Sequence, residues 1–589
     1  MELGRIQDAM SARGPDGAGT WLDESGCIGL AHRRLSIIDL SDRASQPMSS
    51  ACGRYRITFN GEIYNYPELR KHLESQGRRF ITDSDTEVLL HLYELKNANM
   101  LSELRGIFAL AIWDNLKQEL LLARDPFGNK PLYYSNDGHT FRFASQVKAI
   151  LAGGGVSRDP EPAGTVGFLL WGSVPDPFTL YRSILAVPAG SSIRVTQSGP
   201  ETPREYTRIP DLLKLGEAKP CRLSEVNERV RHAARESVRA HLLADVEVGV
   251  FLSAGIDSGA ILGLMRDAGV EKVTAITLAF TEFRNTEADE APLARKVTEH
   301  YGAEHIVRYI DEAEFMSDLP HILNAMDQPT IDGINTWFVA KAAREVGIKV
   351  ALSGVGADEL LGGYPSFHSI PQSVRALRIP AALPGFGSLL RRAARYMGVE
   401  RISSKLPGLV EYGGTYPGAY LLRRGLFMPW QLSGLLEDPT VVLDGLDKLS
   451  PLSRLASEVA PIGRSPFSRV AALETVQYMR NQLLRDTDWA GMAHGVEIRT
   501  PFADLDFHKN LSPVIPALKG LSGKHALGLS PSRPLPINVI NRRKTGFDVP
   551  FKRWISKSSV GKYPGTSGKG YSSREWGRFV LDDHTATAL

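Results

Sequence analysis

Cysteine is scarce: Cys27, Cys52 and Cys221 are the only three in 589 residues. An odd number, without CxxC spacing or a neighbouring His cluster, supports neither a disulfide framework nor a zinc site, so three reduced thiols are expected. Long apolar runs are lacking too. The longest, such as VGFLLWG from Val166, are far too short to span a bilayer, and the polar N-terminus carries no signal-like apolar segment. There is also little excess charge: 69 basic side chains stand against 66 acidic ones, for a net +3, and the basic residues are scattered. That balance argues against a polycationic surface for nucleic acid. No internal repeat is visible. What remains is a soluble, cytoplasmic protein of globular composition, 43% hydrophobic and 23% charged, and too long for one ordinary core.

Up to about Tyr206 the chain alternates short β-rich runs with turns: YRITFNGEIYN, GIFALAIWD, ELLLARDPFG, TFRFASQV and SSIRVTQSG. Two stretches, PELRKHLESQG and SDTEVLLHLYELK, have apolar residues three or four apart and predict helices, the second capped by Ser84 or Asp85. The pattern predicts an α+β domain over 1–206. A polar linker is expected over Lys214–Leu223. Beyond it the grammar becomes helix, strand VEVGVFL, loop SAGIDSG, helix, strand KVTAITLAF, which predicts an α/β doubly wound parallel sheet within a domain over 222–560. A second strand and glycine loop follows at GIKVALSGVGADELLGGY. Most of 372–504 reads as helical with Pro/Gly breaks, and 561–589 as a polar tail.

The loop Ser253–Gly259, SAGIDSG, ends an apolar strand and opens a helix. Unpaired backbone N–H groups converge there, and the helix dipole favours an anion. Ser253 and Ser258 add hydroxyls, Gly255 permits close approach, and Asp257 is a hard oxygen ligand suited to Mg2+. The loop has neither the GK[ST] ending of a Walker A loop nor the three glycines of a dinucleotide fingerprint. Alone, it is equally well a strand-to-helix turn built of small residues. The second loop, LSGVGADE, tips the balance: Asp257 and Asp358 at the ends of two strands are placed to share one Mg2+ between nucleotide phosphates.

These loops resemble the SGGxDS pyrophosphate loop of the ATP pyrophosphatase group, with Ala254 in the second position, and the nucleotide loop of asparagine synthetases. DWAGMAHGVEIRTPFAD, GKHAL and RRKTGF resemble further motifs of that family in the same order. RGPDG, HRRLSIIDL, QPM, FNGEIYN, TDSDTEV, GIFALAIWD and RDPFGNKPLYY are similar to the glutaminase domain of class II amidotransferases, an N-terminal-nucleophile sandwich. The resemblance implies that Arg34 clamps the α-carboxylate of glutamine, that Glu62 and Asp85 hold its α-ammonium, and that Asn60 with the Gly61 N–H forms an oxyanion hole. It implies ATP binding by Leu252, Ser253, Gly255, Asp257, Ser258, Leu278, Ser353, Gly354 and Lys524, Mg2+ at Asp257 and Asp358, and charge neutralisation by Lys544 as pyrophosphate leaves. The implied substrates are aspartate, ATP and glutamine or ammonia, with no nucleic acid or membrane partner and a homodimer left open. The implied product is asparagine; a related ligase acting on another carboxylate is the alternative.

Two departures stand out. The family's nucleophile is a cysteine that becomes residue one, followed by Gly-Ile and a first strand; no such segment precedes RGPDG, and Cys27 and Cys52 lie inside the chain with no free α-amine. Either the true start lies upstream of Met1, preferred because Arg34, Asn60, Gly61, Glu62 and Asp85 are all kept, or glutaminase activity is lost and free ammonia is used. The second departure is Val355, where many members carry an acid assigned as a base.

Overall fold

The computed structural model describes residues 2–399, 403–436, 438–518, 522–542, 550, 554 and 573–586. Its N-terminal part is layered. The main sheet is antiparallel and runs 199–200, 191–196, 119–124, 106–114, 55–63, 48–49, with 204–205 also paired to 191–196. Alternation sends Ile57, Phe59, Phe108 and Leu110 to one face, where they pack with Leu89 and Leu92 of the helix Asp85–Lys96. Ala109, Ala111, Trp113 and Leu122 point the other way, into a second core shared with Leu30. The hairpin of Gly17–Leu22 and Gly29–Arg34 and the three strands 141–144, 133–136 and 184–186 belong to separate small sheets. This is the expected α+β sandwich. FNGEI, readable as a turn, lies inside the strand Tyr55–Ile63.

The C-terminal part is built on a five-stranded parallel sheet in the order 304–310, 274–280, 248–251, 350–352, 497–499. From Val248–Phe251 the chain first adds strands on one side, then crosses to the other. The order therefore switches between 248–251 and 350–352, and the crevice beyond their carboxyl ends is the natural ligand position of such a sheet. Both small-residue loops fall there.

Two expectations are corrected. The first half of the linker expected over 214–223 is the end of the helix Ile209–Ala218, which buries Ile209 and Leu213, one turn apart. The supposed polar tail contains the helix Ser573–Ala586, which buries Trp576, Val580 and Leu581. In the tail, mean polarity concealed a one-sided apolar pattern. Within the helical region, the continuous run from Pro466 to Ala493 is wound as a π-helix over Glu474–Leu484.

Candidate functional site

Two large cavities stand out. The first, of about 440 Å3, is lined by Arg34, Asn60, Gly61, Glu62 and Asp85 together. Arg34 is held by the turn that follows it, its Nη1 donating to the Ser41 carbonyl at 2.8 Å and its Nη2 to that of Asp39. Asn60 Nδ2 lies 3.4 Å from Ser145 Oγ. Gly61 has φ +140°, and a Cβ there would collide with the Ile107 carbonyl on the neighbouring strand. Only glycine lets the two strands keep that spacing. Ser84 caps the helix 85–96 by accepting from the Thr86 N–H, which fixes Asp85 at the first helical position. Burial pushes the Asp85 carboxyl up to about 6, although the Ile63 and Thr86 N–H groups favour its charge.

Glu62 is buried, and burial raises its carboxyl well above the ordinary range despite the Arg499 guanidinium 3.5 Å away. Its Oε2 accepts no hydrogen bond among the described residues. A buried carboxylate oxygen without a donor, at a cavity wall, is suited to a ligand ammonium. Arg499 also donates to Glu497 at 2.8 Å, and Glu497 accepts from Lys130 Nζ at 2.8 Å. Against the cost of burial, Lys130 and Arg499 hold the Glu497 carboxyl at about 2. This chain of charges joins the wall of the first cavity to the last strand of the parallel sheet.

The second cavity, of about 550 Å3, lies at the switch point. It is lined by Leu252, Ser253, Gly255, Asp257, Ser258, Leu278, Ser353, Gly354, Asp358 and Lys524. The Ser258 hydroxyl accepts from the Ser253 N–H at 3.0 Å and the Ser253 hydroxyl accepts from the Gly255 N–H at 3.1 Å, so both hydroxyls shape the loop. The two loops touch: a Cβ on Gly354 would sit 2.7 Å from Asp257 Cβ. Lys524, at the start of the helix Lys524–Gly528, puts its ammonium between Asp257 and Asp358, 2.7 Å from the latter. Two carboxylates suit a Mg2+ whose remaining ligands are phosphate oxygens and water, and the described residues form no all-protein metal cluster. Lys544 lies outside the described residues.

Several lining residues were not anticipated. Asp332 and Asp486 line the second cavity, held by the Gly333 N–H at 3.0 Å and Trp489 Nε1 at 2.8 Å respectively. Burial raises both carboxyls, and Asp332 raises Asp486 further. Glu290 pairs with Arg542 at 3.2 Å on another wall. Asp486 lies only two residues before the quoted motif DWAGM, but nothing local ties it to Asp332. Val355 lines the cavity and packs against an apolar cluster that includes Met479 and Leu505. Cys27 is exposed at the rim of the first cavity. A third space of about 10 Å3 shares Met492 with the first cavity and Thr487 and Ile498 with the second.

Residues 229–569 match the asparagine synthase family profile, and residues 1–207 match that of the glutamine amidotransferase domain. The chain belongs to the asparagine synthase family. It is 33% identical to asparagine synthetase [glutamine-hydrolyzing] 1 of Bacillus subtilis (strain 168), over 98% of this chain and 88% of that protein. A putative asparagine synthetase [glutamine-hydrolyzing] of Mycobacterium bovis is 32% identical, covering 94% and 84% of the two chains. The amidase chry2 of Gibberella zeae is 29% identical over 94% of this chain and 85% of its own. As a member of the family the protein is a glutamine-dependent carbon–nitrogen ligase.

Proposed function

We propose that this ligase makes asparagine from aspartate. In the second cavity a β-carboxylate oxygen of aspartate attacks the α-phosphorus of ATP, pyrophosphate leaves, and a β-aspartyl-AMP mixed anhydride forms. Ammonia then attacks the β-acyl carbon and displaces AMP. Backbone N–H groups at the start of the helix Ile256–Asp267 and the ammonium of Lys524 meet the phosphate charge. Asp257 and Asp358 would hold Mg2+, which supplies charge neutralisation as pyrophosphate departs. Val355 offers no base, so a phosphate oxygen or water takes the proton lost by the attacking nitrogen.

In the first cavity the α-ammonium of glutamine pairs with Glu62 and Asp85 and its α-carboxylate with Arg34, while Asn60 and the Gly61 N–H stabilise the oxyanion formed as water adds to the side-chain amide carbon, before that carbon expels ammonia and leaves glutamate. The observation that carries the reading is the pair of small-residue loops at the switch point, which bring Asp257, Asp358 and Lys524 together on the wall of the second cavity; a third small space shares Met492 with the first cavity and Thr487 and Ile498 with the second.

A second reading keeps the adenylation and changes the acceptor, because Val355 stands on the cavity wall where many members of the family carry an acid. Pyrophosphate release with ATP and Mg2+ tests both readings, first with aspartate and ammonium, then with glutamine replacing ammonium. Release with aspartate and ammonium is expected. Release only with another carboxylate moves the acceptor, and silence with every carboxylate overturns the adenylation itself.

A further inference from the structure

The helix Phe386–Tyr396 packs the wrong way round for a soluble surface helix. Its inner side carries Gly387, which abuts the Glu411 backbone, and Arg391, which pairs with Glu411 and lies 5.2 Å over the Trp430 ring. Its apolar positions Phe386, Leu389, Leu390 and Ala393, continued by Met397, fall at i, i+3, i+4, i+7 and i+11 and form one stripe. That stripe is exposed: Leu389 keeps 64% of its surface accessible and Met397 keeps 71%. Ile379, 80% exposed at the end of the preceding helix Ser366–Ala381, and Leu383 extend it. None of these residues lines either large cavity.

The charge here is also one-sided, unlike that of the chain. From Leu360 to Val399 there is no Asp or Glu, against five arginines, Arg375, Arg378, Arg391, Arg392 and Arg395. All but Arg391 are exposed. An apolar stripe flanked by cations and lying flat on the protein is the pattern of a helix that sits in a bilayer interface. A second copy is a poor occupant, because a two-fold contact would set arginines against arginines.

We propose that the face made by Ile379, Leu383, Phe386, Leu389, Leu390 and Met397 rests on a membrane surface bearing anionic headgroups. No helix among the described residues is long and apolar enough to cross a membrane, so the attachment is peripheral. The helix Ser366–Ala381 would act as a strut of about 24 Å between that surface and Tyr364 at the edge of the second cavity.

Flotation of the full chain with vesicles tests this, using phosphatidylcholine alone and phosphatidylcholine mixed in equal parts with phosphatidylglycerol. The wild type should float with the mixed vesicles at low salt and much less at high salt or with phosphatidylcholine alone. Leu389→Asp should weaken binding about tenfold or more, and Arg392→Ala about fivefold, both with an unchanged melting temperature because the side chains are exposed. Absence of binding to mixed vesicles, or equal binding by Leu389→Asp, would overturn the proposal. So would a solution dimer that Leu389→Asp converts to monomer, or an acidic protein that captures the wild type alone while vesicles stay bare.

Discussion

Replacing Lys524 by methionine tests how the second cavity is wired. The ammonium lies between Asp257 and Asp358, whose side chains are 19% and 14% exposed, and methionine keeps the length while removing the charge. Breaking a buried pair by deleting one partner costs about 3–5 kcal/mol, and the residual exposure puts this site near the lower end, about 3 kcal/mol. At about 2 °C per kcal/mol for a large unit, the apparent Tm should fall by about 6 °C. The two carboxylates then lose the cation between them and should recruit a divalent cation without any nucleotide. At a hundred times its dissociation constant Mg2+ would return about 2.7 kcal/mol, nearly the whole loss. The assay is a thermal melt with and without Mg2+ in the absence of ATP. The wild type should be indifferent to Mg2+, because the Lys524 ammonium already occupies the place between the pair, and the variant should recover. A variant that melts like the wild type, or equal Mg2+ responses in both, would refute the wiring.

Gly354→Ala brings a Cβ within 2.7 Å of Asp257 Cβ, so it should abolish pyrophosphate release while far-UV circular dichroism stays that of the wild type. The Asp85 carboxyl, raised to about 6 from an ordinary 3.8, binds its proton more tightly when folded. Its contribution to stability is present below pH 3.8 and is lost as pH rises through 6, about 3 kcal/mol in all. The Tm advantage of Asp85→Asn over the wild type should therefore grow from pH 4 to about 6.5 and then level off; an advantage independent of pH would count against the assignment. Trp576→Ala empties a fully buried site in the helix 573–586 and should cost about 3–5 kcal/mol, read as a lower Tm and faster proteolysis of the C-terminal segment.

Local pattern made much of this legible. Apolar alternation in YRITFNGEI and GIFALAIWD, and the passage from apolar run to small-residue loop to helix at SAGIDSG, follow from backbone geometry within a few residues. The five residues expected at the first cavity and the ten at the second came from the resemblance to family motifs, and all fifteen line the cavities. A segment judged by average polarity was misread. Residues 573–586 are polar on the mean, yet they bury one side, as Trp576 shows. Average composition loses the phase that decides which residues go inside.

The sequence by itself determined which short segments become strands, which loops could cradle phosphate, and which family supplies the chemistry, because those properties reside in neighbouring residues. Tertiary structure alone decided which distant charges meet. Asp332 joins Asp486, Lys524 enters between Asp257 and Asp358, and Arg499 spans Glu62 and Glu497 across the two halves. It also decided that the apolar stripe of 386–397 faces outward. A periodic pattern says that a helix has an apolar side; only the packing of the rest of the chain settles whether that side finds a core, since burial depends on neighbours brought from hundreds of residues away.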